Sequence, residues 1–146
     1  MSVPLEARSY GEESSPEERN AIADQVSNIT SDILLWRELP VPSLLSVERM
    51  ERRVQELTQD LPAYARVVDL SSSALPDAKV RRRLNQMLAA EGRLQHLGVF
   101  THRNALINVA LKFVLSGTSD KFSVSVHRGY DEALEACRHS MQGVGA

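Results

Sequence analysis

The sequence predicts an α/β fold: a mostly parallel or mixed sheet of four or more strands, with about four helices packed on it. Short apolar runs alternate with longer segments of helical periodicity, which is typical of stacked strand and helix units. The chain has 146 residues, 42% of them hydrophobic, enough for one domain with a substantial core. We expect a single α/β domain over residues 29–142, a flexible tail with a short helix over 1–28, and a C-terminal tail over 143–146.

Four segments are predicted to be strands. Residues 33–36 are apolar on both faces, as in a strand covered by helices on both sides, and Ala65–Leu70 and Leu94–Thr101 are the second and third strands. Over residues 122–126 apolar side chains alternate with serines, which predicts a strand with one wetter face or at a sheet edge. Because helices connect these strands, we expect parallel pairing with right-handed crossovers.

The helices are predicted from apolar stripes and end signals. Ser15 and Ser43 or Ser46 are cap candidates for the first two helices, and Asp77 is the cap candidate for the third. Gly92 is expected to close the third helix in the left-handed conformation. A strongly apolar helix over residues 106–114 should be the most buried one, and Tyr130–Met141 should form the last.

Bulk properties exclude several classes of function. A formal net charge of −2 with interspersed signs gives no electrostatic case for a nucleic-acid partner. The single cysteine, Cys137, excludes an internal disulfide and suits a reducing compartment. The first residues lack a secretory signal, and no apolar run reaches the roughly 18 residues of a membrane span. We therefore expect a cytoplasmic protein without a membrane segment.

The segment from Asp69 to Arg82, here called the corner, leaves the second strand and enters a helix. Its hydroxyl and backbone N–H groups can bind an anion, or the serines can simply satisfy turn and cap hydrogen bonds. The cations at the end of the corner form either a solvated face or a docking patch for an acidic partner. One candidate partner is the tail itself, through Glu12, Glu13, Glu17 and Glu18. The candidate partner-binding residues are Asp69, Ser71, Ser72, Ser73, Asp77, Lys79, Arg81 and Arg82.

Three short segments follow one another at a characteristic spacing: Asp69-Leu70-Ser71 at the end of a strand, Asp77-Ala78 eight residues later, and Asp131–Leu134 near the end of the domain. Together they resemble the STAS family, whose best-known members are bacterial anti-sigma-factor antagonists. The likeness covers roughly residues 65–137. It implies a STAS-like domain that regulates by binding a protein, such as a kinase-like anti-sigma factor or another signalling protein.

One departure from that family bears on regulation. Ala78 occupies the position of the phosphorylated serine, and its methyl group cannot accept a phosphoryl group. The resemblance therefore implies that the usual phosphorylation switch is absent. Phosphorylation of Ser71, Ser72 or Ser73 is an alternative hypothesis, because negative charge at a helix N-terminus would be tolerated there.

A second polar group follows the third strand. Thr101, His102, Arg103 and Asn104 combine a hydroxyl, an imidazole, a guanidinium and an amide, which together could hold a small anion at a helix N-terminus. The alternative is an ordinary helix cap at Thr101 or His102 beside an exposed arginine.

Enzyme signatures are missing from the sequence. It has no glycine-rich phosphate loop and no nucleophile elbow, and its four histidines share no ligand spacing on one helix, so we predict no catalysis, cofactor or metal. A phosphoreceiver domain is the best enzyme-like alternative. It would use Asp69 as phosphate acceptor, Thr101 as sensor and Glu38 on magnesium, but it lacks the required carboxylate cluster and lysine.

These observations predict a non-enzymatic regulatory or scaffold module that binds a protein partner through the corner. A small-ligand sensor or carrier for an anion or lipid is the alternative, and a subunit of a larger assembly is a third. Trp36, Leu39 and Val41 also suggest apolar surface for a homo-oligomer.

Overall fold

The computed structural model describes residues 3–74, 76–102 and 121–143. Within these ranges the elements, in chain order, are α1 (Pro16–Ala23), β1 (Val26–Asn28), β2 (Ile33–Arg37), α2 (Leu44–Thr58), β3 (Tyr64–Asp69), α3 (Ala78–Ala90), β4 (Leu94–Phe100), β5 (Ser123–His127) and α4 (Tyr130–Gln142). The helix expected over residues 106–114 lies outside the described residues.

The strands form one five-stranded sheet in the order β1-β2-β3-β4-β5. β1 is antiparallel to β2, and the other neighbours are parallel, so the predicted α/β class with a mostly parallel sheet is confirmed. β5 lies at an edge, as its alternating pattern predicted. Arg37, Asp69, Phe100 and His127 are in register at the carboxyl ends of the four parallel strands.

Apolar side chains fill both faces of the sheet. On one face, strand residues such as Leu34, Tyr64 and Val99 share a core with α1, α2 and α3. On the other face α4 packs, and its Ala133, Leu134 and Cys137 cover a patch formed by Ile33, Ala65, Val67 and Phe100. The sheet is therefore covered by helices on both sides, which explains why its central strands are apolar throughout.

Gly98 is required where α4 crosses β4. A Cβ atom at this position would lie 2.6 Å from the Ala133 carbonyl oxygen and 3.1 Å from Cys137 Sγ. The absence of a side chain lets the backbone of α4 approach the strand closely.

The N-terminal residues differ from the expected tail. Tyr10 is only 1% exposed and belongs to the core beneath α2, where its carbonyl oxygen accepts a hydrogen bond from Ser43 Oγ at 2.5 Å. Ile22 and Val26 are also buried, and β1 extends the sheet. Our expectation that residues 1–28 lie outside the core is therefore corrected: a single aromatic anchor and a three-residue strand fix this segment without periodic apolar residues.

The residues predicted to cap the N-terminal ends of the first three helices do so in the structure. Ser15 and Glu18 form a capping box, Ser43 and Ser46 cap α2 reciprocally, and Asp77 Oδ1 accepts a hydrogen bond from the Val80 N–H at 2.9 Å. The prediction for Gly92 was wrong. α3 ends through an extended Glu91, and no glycine among the described residues has a positive φ.

The apolar surface expected near the first strand is smaller than predicted. Trp36 and Leu39 are buried, and only Val41 is exposed, at 37%. The described helices include none that combines the length and apolar character needed to cross a membrane.

Candidate functional site

Asp69 ends β3 and fixes the turn that follows. Its Oδ1 accepts a hydrogen bond from the Ser71 N–H at 2.8 Å, and its Oδ2 lies 3.9 Å from Arg37 Nε. This is the turn that an aspartate side chain makes with the backbone two residues on. Asp69 therefore shapes the corner rather than extending from it.

The three serines of the corner differ in accessibility. Ser73 is buried, and its hydroxyl donates to the Ala74 carbonyl oxygen at 2.9 Å. The Ser71 side-chain oxygen is also closed off from solvent, whereas Ser72 is exposed. Backbone bonds from Ser73 N to Leu70 O and from Ala74 N to Pro40 O hold this arrangement. Of the three hydroxyls, only that of Ser72 lies on an exposed residue.

The beginning of α3 presents the charged part of the corner. Asp77, Ala78, Lys79 and Arg82 are all exposed within its first two turns. Arg81 is partly buried, and its Nη1 donates to the Pro76 carbonyl oxygen at 3.1 Å. The structure thus brings Ser72, Asp77, Lys79 and Arg82 to the surface and uses Asp69, Ser71, Ser73 and Arg81 to build the turn.

Among the ion pairs of the described residues, none joins an acidic residue of the N-terminal segment to Lys79 or Arg82. Glu18 is bound to Arg8 at 2.5 Å and to the Ser15 N–H, and the backbone hydrogen bond from Ser15 lowers the pKa of its carboxyl. Arg83 pairs instead with Glu48 of α2, with Nε and Oε1 3.1 Å apart. The expected docking of tail acids on the corner was therefore wrong. The neighbouring Arg83 instead forms an ion pair that joins α3 to α2.

Of the second polar group, residues 101–104, the structure describes Thr101 and His102. Thr101 is buried, and its N–H donates to the His127 carbonyl oxygen at 3.3 Å. His102 is exposed, and its ring lies edge-on to Phe100 with the centroids 6.1 Å apart. Arg103 and Asn104 lie outside the described residues, so the predicted anion site stays a prediction.

The carboxylate of Glu38, the candidate magnesium ligand of the phosphoreceiver alternative, is bonded within the protein. Glu38 is buried, and its carboxylate accepts hydrogen bonds from the Trp36 indole N–H and from the Leu39 N–H, both at 3.0 Å. Burial raises the pKa of this carboxyl. Over residues 3–74, 76–102 and 121–143 there is no group of three histidine, cysteine or acidic residues that could hold a metal ion.

A chain of histidines and serines on β4 and β5 was missed by the sequence analysis. His96 Nδ1 lies 2.6 Å from Ser123 Oγ, and His96 Nε2 lies 2.7 Å from Ser125 Oγ. His127 Nε2 is 2.6 Å from the same Ser125 oxygen. The signal was present as alternation over residues 123–127, because every second residue of a strand lies on one face. Spacing along a single helix cannot reveal this arrangement, because His96 and His127 lie on two paired strands.

The buried position of the His96 side chain predicts that the free energy of unfolding falls in mild acid. Burial, helped by the nearby charge of His127, lowers the pKa of His96 in the folded protein. The unfolded state, with a histidine pKa of about 6.5, therefore binds the proton first as the pH falls. The stabilisation is complete above that pH and is lost progressively below it.

Urea denaturation at several pH values between about 8 and 5 measures this effect. We expect the free energy of unfolding of a His96→Gln variant to vary less over this range than that of the wild type. His139→Gln, which changes an exposed histidine of α4, is the control and should keep the wild-type slope. Equal slopes for His96→Gln and the wild type would contradict the prediction.

A buried charged network was also missed. Arg66, on β3, is 3% exposed and pairs with Glu51 of α2, with Nη2 and Oε1 3.0 Å apart. Its Nε and Nη2 donate to the Tyr64 hydroxyl oxygen at 3.1 and 2.7 Å, and that hydroxyl donates to Glu91 Oε2 at 2.9 Å. Gln55 Nε2 donates to the same Glu91 oxygen at 2.9 Å. The network joins α2, β3 and the end of α3.

No protein-family model matches the chain. No significant match was found among curated proteins.

Proposed function

We propose that this chain is a non-enzymatic, cytoplasmic regulatory or scaffold module that binds a protein partner through the corner. The observation that carries the proposal comes from the described residues of the corner. Asp69 and Asp77 accept hydrogen bonds that fix the backbone at Ser71 and Val80, while Ser72, Asp77, Lys79 and Arg82 are exposed. A fixed backbone lowers the entropy cost of binding, and exposed charges of both signs provide specificity.

The position of the corner in the fold supports the same function. It lies at the carboxyl end of β3, the edge at which open α/β sheets usually bind their ligands. Asp69-Leu70-Ser71 ends a parallel strand and Asp77-Ala78 begins the next helix, which is the arrangement implied by the STAS resemblance. On this basis the partner is a kinase-like anti-sigma factor or another signalling protein.

The exposure of the serines narrows the regulatory part of the proposal. Ala78 cannot carry a phosphoryl group, and Ser71 and Ser73 have their hydroxyls closed off or bonded within the turn. Any phosphorylation of the corner is therefore assigned to Ser72. It would add about two negative charges to the same segment as Lys79 and Arg82 and so weaken the binding of an acidic partner.

A pull-down from the source cell tests the binding surface. The double substitution Lys79→Glu with Arg82→Glu should reduce capture of the partner at least about tenfold, because the added negative charges repel an acidic partner. Arg128→Glu with Arg138→Glu makes the same charge change on exposed residues outside the corner and should leave capture unchanged.

Two results would contradict the proposal. Capture of the same proteins by both double variants would remove the corner as the binding surface. A small molecule retained in native mass spectrometry of the protein from its own host, with no protein captured, would favour the sensor or carrier instead.

A further inference from the structure

A cavity of about 130 Å³ lies among the N-terminal segment, α1 and α2, away from the corner. Its lining consists of Glu12, Arg19, Leu45, Glu48, Arg49 and Arg52. The volume is several times the roughly 30 Å³ that a water molecule takes up in the liquid, so a small oxyanion fits. Three of the six lining residues are arginines, whose planar N–H groups match the oxygens of phosphate.

Arg19 is held in place before any ligand binds. Its Nε donates to the Ser14 carbonyl oxygen at 3.2 Å, and its Nη2 donates to the Glu12 carbonyl oxygen at 2.9 Å. Both acceptors are neutral, so these bonds position the guanidinium without cancelling its charge. Such preorganisation favours binding because less side-chain freedom is lost.

Within the part of the chain that the structure describes, Arg49 and Arg52 form no ion pair. In the described part of the chain, neither guanidinium lies within 4.0 Å of a carboxylate oxygen. Arg49 Nη1 is in addition closed off from solvent with no hydrogen-bond partner. A partly desolvated, unpaired guanidinium is unfavourable, and an anion beside it would offset that cost.

The two glutamates of the lining do not neutralise these arginines. Glu48 is paired with Arg83, which lies outside the cavity lining. The Glu12 side chain is 96% exposed, and its carboxylate lies 3.9 Å from Arg19, at the limit of an ion pair. The cavity therefore keeps an excess of positive charge.

We propose that this cavity binds a phosphate group, held by Arg19, Arg49 and Arg52. The group comes either from inorganic phosphate or from a phosphorylated side chain, since both present the same oxygens to the arginines. This site is separate from the corner and does not depend on the function proposed for it.

Nuclear magnetic resonance titration of the full chain at constant ionic strength tests the proposal. We expect inorganic phosphate to shift the backbone amide signals of Arg49 and Arg52 in a saturable way, and chloride to leave them unchanged. Phosphoserine blocked at both ends, compared with blocked serine, separates the two sources: tighter binding than inorganic phosphate assigns a phosphorylated side chain, and equal binding assigns the free ion. Shifts that do not saturate with either phosphate compound would overturn the site.

Variants locate the binding. The double substitution Arg49→Gln with Arg52→Gln should lower the affinity for phosphate at least about tenfold, because each charge-assisted hydrogen bond contributes that order of affinity. Glu12→Gln should raise the affinity, because it removes a negative charge that repels phosphate. Arg128→Gln with Arg138→Gln is the matched control and should leave the affinity unchanged. If phosphate binds the Arg49 and Arg52 double variant as tightly as the control, the assignment of the cavity is wrong.

Discussion

Replacing Arg66 with alanine should lower the free energy of unfolding by about 3–5 kcal/mol, the range measured when one partner of a buried ion pair is removed. The loss has a direct physical cause. Glu51 would lose its cation in a site where its side chain is only 14% exposed, and the Tyr64 hydroxyl would lose two donors. Arg66 also lies over the rings of Trp36 and Tyr64, so packing is lost with the charge.

Urea denaturation followed by circular dichroism measures this loss. The control is Arg53→Ala, which breaks an exposed pair with Glu56 on the surface of α2 and should cost less than about 1 kcal/mol. Adding Glu51→Leu to an Arg66→Met background should recover part of the stability, because no buried charge is then left unpaired. A similar, small loss for Arg66→Ala and Arg53→Ala would show that Arg66 does not hold this interface.

The substitution Gly98→Ala should be the second most disruptive change, with a cost of about 1–3 kcal/mol typical of an overpacked core. The added methyl carbon would lie 2.6 Å from a backbone oxygen of α4, which cannot rotate away as a side chain can. α4 must therefore move off the sheet. Gly92→Ala is the control, because nothing lies within 4 Å of the added carbon.

The Cys137 thiol reports the movement of α4 directly. It is fully buried, and burial raises its pKa to about 11, so the folded wild-type protein should react slowly with a disulfide reagent. We expect Gly98→Ala to react faster than both the wild type and Gly92→Ala under native conditions. Equal rates and equal stability for the two glycine variants would contradict close contact at Gly98.

From β2 onward, the order and type of the described elements could be predicted because they depend on local patterns, whereas β1 falls in the segment that was predicted to be a tail. Short, mainly apolar runs identify β2, β3 and β4, and Asp77 marks the start of α3 within one residue. The packing of Tyr10 could not be predicted, since an isolated aromatic among polar residues has no periodicity. Arg66 is equally hidden, because a single cation in an apolar strand does not reveal that Glu51, fifteen residues earlier, comes to lie beside it.

The candidate site was predictable in position but not in detail. Asp69 and Asp77 identify a strand-to-helix turn by residue type alone. Three consecutive serines look equivalent in the sequence, whereas long-range contacts decide their accessibility: the bond from Ala74 N to Pro40 O ties the turn to the segment after β2. Arg19 of the proposed phosphate site lies on α1, whereas Arg49 and Arg52 lie on α2, so no local pattern groups all three.

The sequential strand order has a consequence for the synthesis of the protein. Each strand pairs with the one made just before it, so a chain leaving the ribosome can extend its sheet step by step without waiting for distant partners. α4 is the exception, because it covers β3 and β4 long after they have been made. A nascent chain halted before Tyr130 would lack the cover that α4 gives to Ile33, Ala65, Val67 and Phe100, and we expect chaperones to bind that patch.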